Sequence, residues 1–160
     1  MRTIAVVILT ILGINISFAE QVTAKLYSTS NNTFLGEIVF ADSSFGLLIT
    51  PNLSGLPAGP HGFHLHQHPN CGDKGMDAGG HYDPQQTNSH QGPYGAGHLG
   101  DLPVVIVTAD GKANTPLLAP RLKTSDLKNM AVMLHAGGDN YSDNPKLGGG
   151  GERTGCGAIE

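Results

Sequence analysis

The chain has 160 residues, of which 23 are glycine and only 14% are charged, roughly twice the usual glycine share and about half the usual share of charge. Lys, Glu and Arg are too few to clothe long surface helices, which excludes an all-helical bundle, and 39% apolar residues with a net charge of -4 exclude a disordered chain. Nine scattered Lys and Arg give no footprint for nucleic acid, so the number left to explain is eight histidines.

In chain order, residues 1–19 read as a cleaved signal peptide: Arg2, a run from Ile4 to Leu12 that is apolar but for Thr10, and a small-residue exit at Ser17 and Ala19. A membrane anchor is the weaker reading, because Thr10, Gly13 and Asn15 interrupt the run before it reaches the ~20 residues a spanning helix needs. Cleavage after Ala19 leaves one domain, residues 20–160, with no further apolar segment of spanning length and no membrane partner. Export delivers the chain to a compartment where disulfides persist, so Cys71 and Cys156 are expected to be bridged rather than to remain as two buried thiols.

Eight short runs punctuated by turns then read as strands: Val22 to Tyr27, Leu35 to Phe40, Phe45 to Thr50, His61 to His68, Leu102 to Thr108, Thr115 to Ala119, Ala131 to Leu134 and Cys156 to Ile159. They predict an antiparallel sandwich or barrel. Ala41-Asp42-Ser43-Ser44 is a hairpin connection, Asp110-Gly111 a turn, and Thr124 to Lys128 a single helical turn with Thr124 as its N-cap. Two stretches have no strand pattern: residues 71–101, rich in Gly, Pro, Asn and Gln, and residues 136–151, ending in four glycines. Loops this long are functional or disordered, and a bound metal can order a loop that has no core of its own.

The histidines fall on these features. On a strand, His64 and His66 project from one face about 6 to 7 Å apart, a spacing that can chelate one ion, although a His-x-His pair alone is weak evidence. His81, His90, His98 and Asp101 follow in the first loop, and His135 ends an apolar run at the start of the second. Imidazoles with one carboxylate suit tetrahedral zinc, and the whole set is enough for two ions. His61 lies on the opposite strand face from His64 and His66 and is read as a hydrogen-bonded scaffold residue. His68 has the right parity but no assigned role.

The segments His61-Gly62-Phe63-His64-Leu65-His66, Gly79-Gly80-His81-Tyr82-Asp83-Pro84, Gly97-His98-Leu99-Gly100-Asp101-Leu102-Pro103, His135-Ala136-Gly137-Gly138-Asp139-Asn140-Tyr141-Ser142-Asp143 and Gly148 to Cys156 resemble copper/zinc superoxide dismutase, its bacterial periplasmic branch in particular. The resemblance spans nearly all of residues 20–160. It implies an all-β, eight-stranded antiparallel Greek-key sandwich or barrel with two long functional loops. It also implies an enzyme that dismutes superoxide to dioxygen and hydrogen peroxide. Copper would be held by His64, His66, His81 and His135, and zinc by His81, His90, His98 and Asp101, with His81 shared. It further implies that Asp139 links a copper histidine to a zinc histidine, that Arg153 docks the anion, and that Lys146 is either a steering charge or a solvated loop lysine. Both monomers and homodimers fit it. A metal-storage module would account for the histidines but gives Arg153 no task, and a zinc hydrolase would want an HExxH helix that the chain lacks.

Overall fold

The computed structural model describes residues 20–159, so the expected signal peptide lies outside the described residues. Nine strands follow one another: β1 Gln21–Ser28, β2 Phe34–Ser43, β3 Gly46–Leu53, β4 Gly59–His61, β5 Phe63–His66, β6 Val105–Val107, β7 Leu117–Ala119, β8 Met130–His135 and β9 Arg153–Ile159. Each of the eight expected runs contains strand. The run from His61 to His68 is divided at Gly62, because β4 pairs with β6 while β5 pairs with β8.

One antiparallel sheet has the order β5-β8-β9-β1-β2-β3-β7, and β4-β6 form a two-stranded ribbon. After β1-β2-β3 the chain leaves and its last strand returns beside β1, a Greek-key arrangement. The ribbon continues directly from edge strand β5, and a bridge between Leu53 and Ala113 ties the β6–β7 connection back to β3. The sheet is thereby curled into a half-barrel around its core.

Strand parity explains that core. In β3, Leu47, Ile49, Pro51 and Leu53 are buried and alternate with exposed residues; Ala24 and Leu26 of β1 and Ile38 and Phe40 of β2 lie beside them on the same inner face, Phe40 paired with Ile49 and Ile38 with Pro51 and Ala24. Strands β5 and β8 are buried on both faces. Phe63, Leu65, Val132 and Leu134 join the main core, while Ala131 and Met133 form a second small cluster with Ala78, Cys71 and Cys156 on the outer face. The loop that starts at Cys71 therefore lies over the outside of β5 and β8, fastened by the Cys71–Cys156 disulfide.

Two 3-10 segments, Asp73–Ala78 and Lys146–Gly149, lie in the long loops, and the expected helical turn is a third, Thr124–Asp126. Thr124 is not its N-cap: that position is Lys123, whose N–H the Asp126 carboxylate accepts at 2.8 Å. The buried Thr124 instead gives its N–H and its hydroxyl to Asp42.

Candidate metal centre

The outer face of β5 carries His64 and His66, both fully buried, with ring centroids 6.4 Å apart. His135 ends β8 beside them, and the bridge pairing His66 with His81 brings the first loop onto the same face. Gly100 and Asp101 return along β5, with Leu65 giving its N–H to the Gly100 carbonyl and Asp101 bridged to His64. Two groups of four side chains result: His64, His66, His81 and His135, and His81, His90, His98 and Asp101, each with its ligand atoms within 4.8 Å of one another.

Each of five imidazoles is fixed by the nitrogen that faces away from one of these centres. His64 Nε2 bonds Asp139 Oδ2 at 2.7 Å, His66 Nδ1 bonds the Gly79 carbonyl at 2.9 Å, and His135 Nδ1 bonds the Gly151 carbonyl at 3.2 Å. His90 Nε2 bonds Asp139 Oδ1 at 2.8 Å, and His81 Nδ1 lies 3.0 Å from Asp101 Oδ1, leaving its Nε2 for the first group. Among the described residues, the buried side-chain atoms without a partner are His64 Nδ1, His66 Nε2, His135 Nε2 and His90 Nδ1. Orphaned buried nitrogens are costly unless something binds them, and all four point into the two groups. His81, His90 and His98 each present Nδ1 to Asp101 Oδ1, at 3.0, 2.9 and 3.3 Å. The edge of a tetrahedron with ~2.0–2.1 Å bonds is about 3.3 Å, so this set fits zinc. The all-imidazole set fits copper.

Electrostatics agree. Burial pushes His64 down to about 3, His66 to about 2 and His135 to about 4, which keeps these rings neutral, as metal ligation requires. His90 goes the other way: burial opposes its charge, but Asp101 and Asp139 outweigh it and raise it to about 9. Both carboxylates sit far below their usual range despite burial, held there by hydrogen bonds from the histidines.

Residues 34–159 match the family model for copper/zinc superoxide dismutase (SODC). The chain belongs to this family. It is 59% identical over 152 residues to superoxide dismutase [Cu-Zn] of Legionella pneumophila, covering 94% of each chain, and 50% identical over 136 residues to that of Escherichia coli K12, covering 79% of each. Copper/zinc superoxide dismutase from Brucella abortus superposes with a TM-score of 0.83 at 43% identity, covering 88% of this chain and 100% of that one. The monomeric enzyme from Salmonella enterica gives 0.73 at 46%, covering 89% and 100%. The all-histidine group is thus the copper site of a superoxide dismutase, the second group its zinc site, and His81 the ligand common to both.

Most of the expected residues converge here. Asp139 spans His64 and His90 as the sequence resemblance implied. His61 is buried, with one ring nitrogen on the His135 carbonyl at 2.6 Å and the other on that of Pro57 at 2.8 Å. His68 is exposed and belongs to neither group. Arg153 and Lys146 line a cleft of about 780 Å³ together with His81 and His135. His64 and His66 do not line it.

Arg153 reaches this face through a bulge. Register along β8 and β9 pairs Leu134 with Gly155 but His135 with Arg153, so Thr154 is an extra residue. The guanidinium is then held by the carbonyls of Gly75 and Gly79, at 2.5 and 2.7 Å. The disulfide holds it only indirectly, by anchoring the segment that supplies those carbonyls.

Three contributors escaped the sequence reading. Lys74 lines the same cleft. The Gly79 carbonyl serves both His66 and Arg153. Gly148, at φ 71°, packs its bare Cα against the Asp139–His90 contact. A positive φ was readable only as a preference for glycine, and the carbonyls leave no mark in a sequence.

Proposed function

We propose that the chain is exported and dismutes superoxide in the periplasm, with Arg153 docking the anion at the open side of the copper site and His81 handling a proton. The supporting observation is the cleft wall: Arg153 shares it with His81 and His135, the two copper ligands that line the cleft. When bound, copper supplies one-electron chemistry by cycling between Cu(II) and Cu(I), oxidising one superoxide to dioxygen and reducing the next to hydrogen peroxide.

The protein's own groups do the rest. Arg153 offers a fixed cation to a small anion, pre-set by its two carbonyl acceptors. His81 faces the zinc set through Nδ1, so its Nε2, the atom that would serve copper, is also the one that would hold a proton whenever it is not a ligand. Asp101 keeps that ring in place. Its Oδ1 faces three imidazoles, and its Oδ2 accepts the N–H groups of Gln91 and Gly92. With a net charge of -4, attraction of the substrate must come from local cations, and Lys146 on the rim adds to the field.

Arg153→Glu should lower superoxide decay by more than ~10-fold while copper and zinc stay at one each per chain by metal analysis. Activity near that of the parent would remove the docking role, and inactivity of the parent with both sites filled would favour metal storage. Lys146→Glu should cost a few-fold at low salt, and the loss should fade above ~0.3 M salt as screening takes over. N-terminal sequencing of the periplasmic protein should begin at Glu20.

A further inference from the structure

His98 is the exception among the ligands. The other ligand rings have both nitrogens committed, one to a metal centre and the other to a carboxylate, a carbonyl or, for His81, the second metal. His98 presents Nδ1 to the zinc group, and no protein partner of its Nε2 is found among the described residues; its side chain keeps 10% of its exposure, the most of the zinc ligands. Ligand histidines are ordinarily oriented through that second nitrogen. Something else must therefore fix this ring.

We propose that Arg121 is the positioning residue for the zinc site, acting on the main chain that carries His98. Its guanidinium donates to two consecutive carbonyls, Nη1 to His98 at 3.2 Å and Nη2 to Gly97 at 2.8 Å. The same peptide segment is held from the other side by the His98 N–H on the Ser89 carbonyl at 2.9 Å. With both ends of the residue clamped, the Cα–Cβ direction of His98 is set without a contact to its ring. Arg121 can do this because its own backbone is anchored: Ala119 and Leu122 on either side are buried in the main core, and Thr124 is fixed to Asp42. The planar fork of a guanidinium matches two adjacent acceptors in a way a lysine ammonium does not. Arg121 thereby couples the zinc loop to the curled sheet.

The experiment follows zinc and copper release from the fully loaded enzyme to a chromogenic chelator, for the parent, Arg121→Met and Arg121→Lys. Arg121→Met should release zinc about 10-fold faster or more, the usual scale for losing an outer contact to a metal ligand, with copper release unchanged. Arg121→Lys, which keeps the charge but not the fork, should fall between; it carries the test by itself if Arg121→Met fails to fold. Parent-like zinc release in the lysine variant, or equal acceleration of zinc and copper in either, would overturn the proposal. A lower melting temperature with unaltered zinc release would reduce Arg121 to a stabilising contact and overturn it too.

Discussion

Asp139 ties the two metal sites together from outside the ligand sets, as His81 does from within them. Its Oδ2 accepts from His64 and its Oδ1 from His90 and from the Tyr141 N–H at 2.7 Å. A carboxylate can serve two imidazole N–H groups because both of its oxygens accept; an amide has one accepting atom and turns an NH₂ toward the other ring. Asp139→Asn should therefore weaken metal binding by about 10- to 100-fold, measured by chelator competition at both sites. Gly148→Ala should do similar harm without removing a charge. A Cβ there would collide with the Asp139 carboxylate and come within 2.9 Å of His90 Nε2, at a φ of 71° that an L side chain rarely adopts. If Gly148→Ala bound zinc as the parent does, the close packing over this contact would be irrelevant to ligation.

Strand β9 joins the disulfide to Arg153, the residue proposed to dock the anion, and what happens to one should reach the other. The bridge closes a separation of 85 residues, for which the chain-entropy model gives about 4 to 5 kcal/mol at most. Replacing Cys71 and Cys156 by serine should lower unfolding stability by up to that amount, and should lower activity further than metal content explains, since Gly75 and Gly79 hold Arg153 from the segment that Cys71 anchors. Titration with denaturant and an activity assay normalised to copper would separate the two effects. Much of this was legible in the residues: short apolar runs punctuated by turns gave the strands, His-x-His gave a shared face, and two cysteines in a chain read as exported gave the bridge. The face of Arg153 was not. Counting three residues back from Cys156 along a regular strand puts it on the opposite side, and only the pairing with β8, which makes Thr154 an extra residue, turns it toward His135. The break at Gly62 was hidden for the same reason, because sheet partners and not local propensity assign β4 and β5 to different neighbours.

The metal sites also set how the whole molecule responds to acid. In metal-free protein, burial holds His64, His66 and His135 at about 3, 2 and 4, below their usual 6.5. Between those values the unfolded chain takes up protons that the folded chain refuses, so stability is lost as pH falls below 6.5, by about 1.4 kcal/mol per pH unit for each proton of difference. His90 acts oppositely. Raised to about 9 by Asp101 and Asp139 against the cost of burial, it contributes stability that is complete below 6.5 and is lost as pH rises toward 9. Asp101 and Asp139, held below the usual carboxylate range, contribute above about 4 and fail only in stronger acid. The expected curve for the metal-free protein is a maximum near neutrality, with a steep acid limb driven by four histidines, His81 among them because burial lowers it too, and a shallow alkaline limb driven by one. Zinc commits His90 Nδ1 as a neutral ligand, so loading zinc alone should abolish the alkaline limb and steepen the acid one, where the unfolded chain protonates the zinc histidines as well as His64, His66 and His135. Unfolding midpoints measured from pH 4.5 to 9, with and without zinc, would check this; an alkaline limb that survives zinc would mean that His90 does not bear the charge.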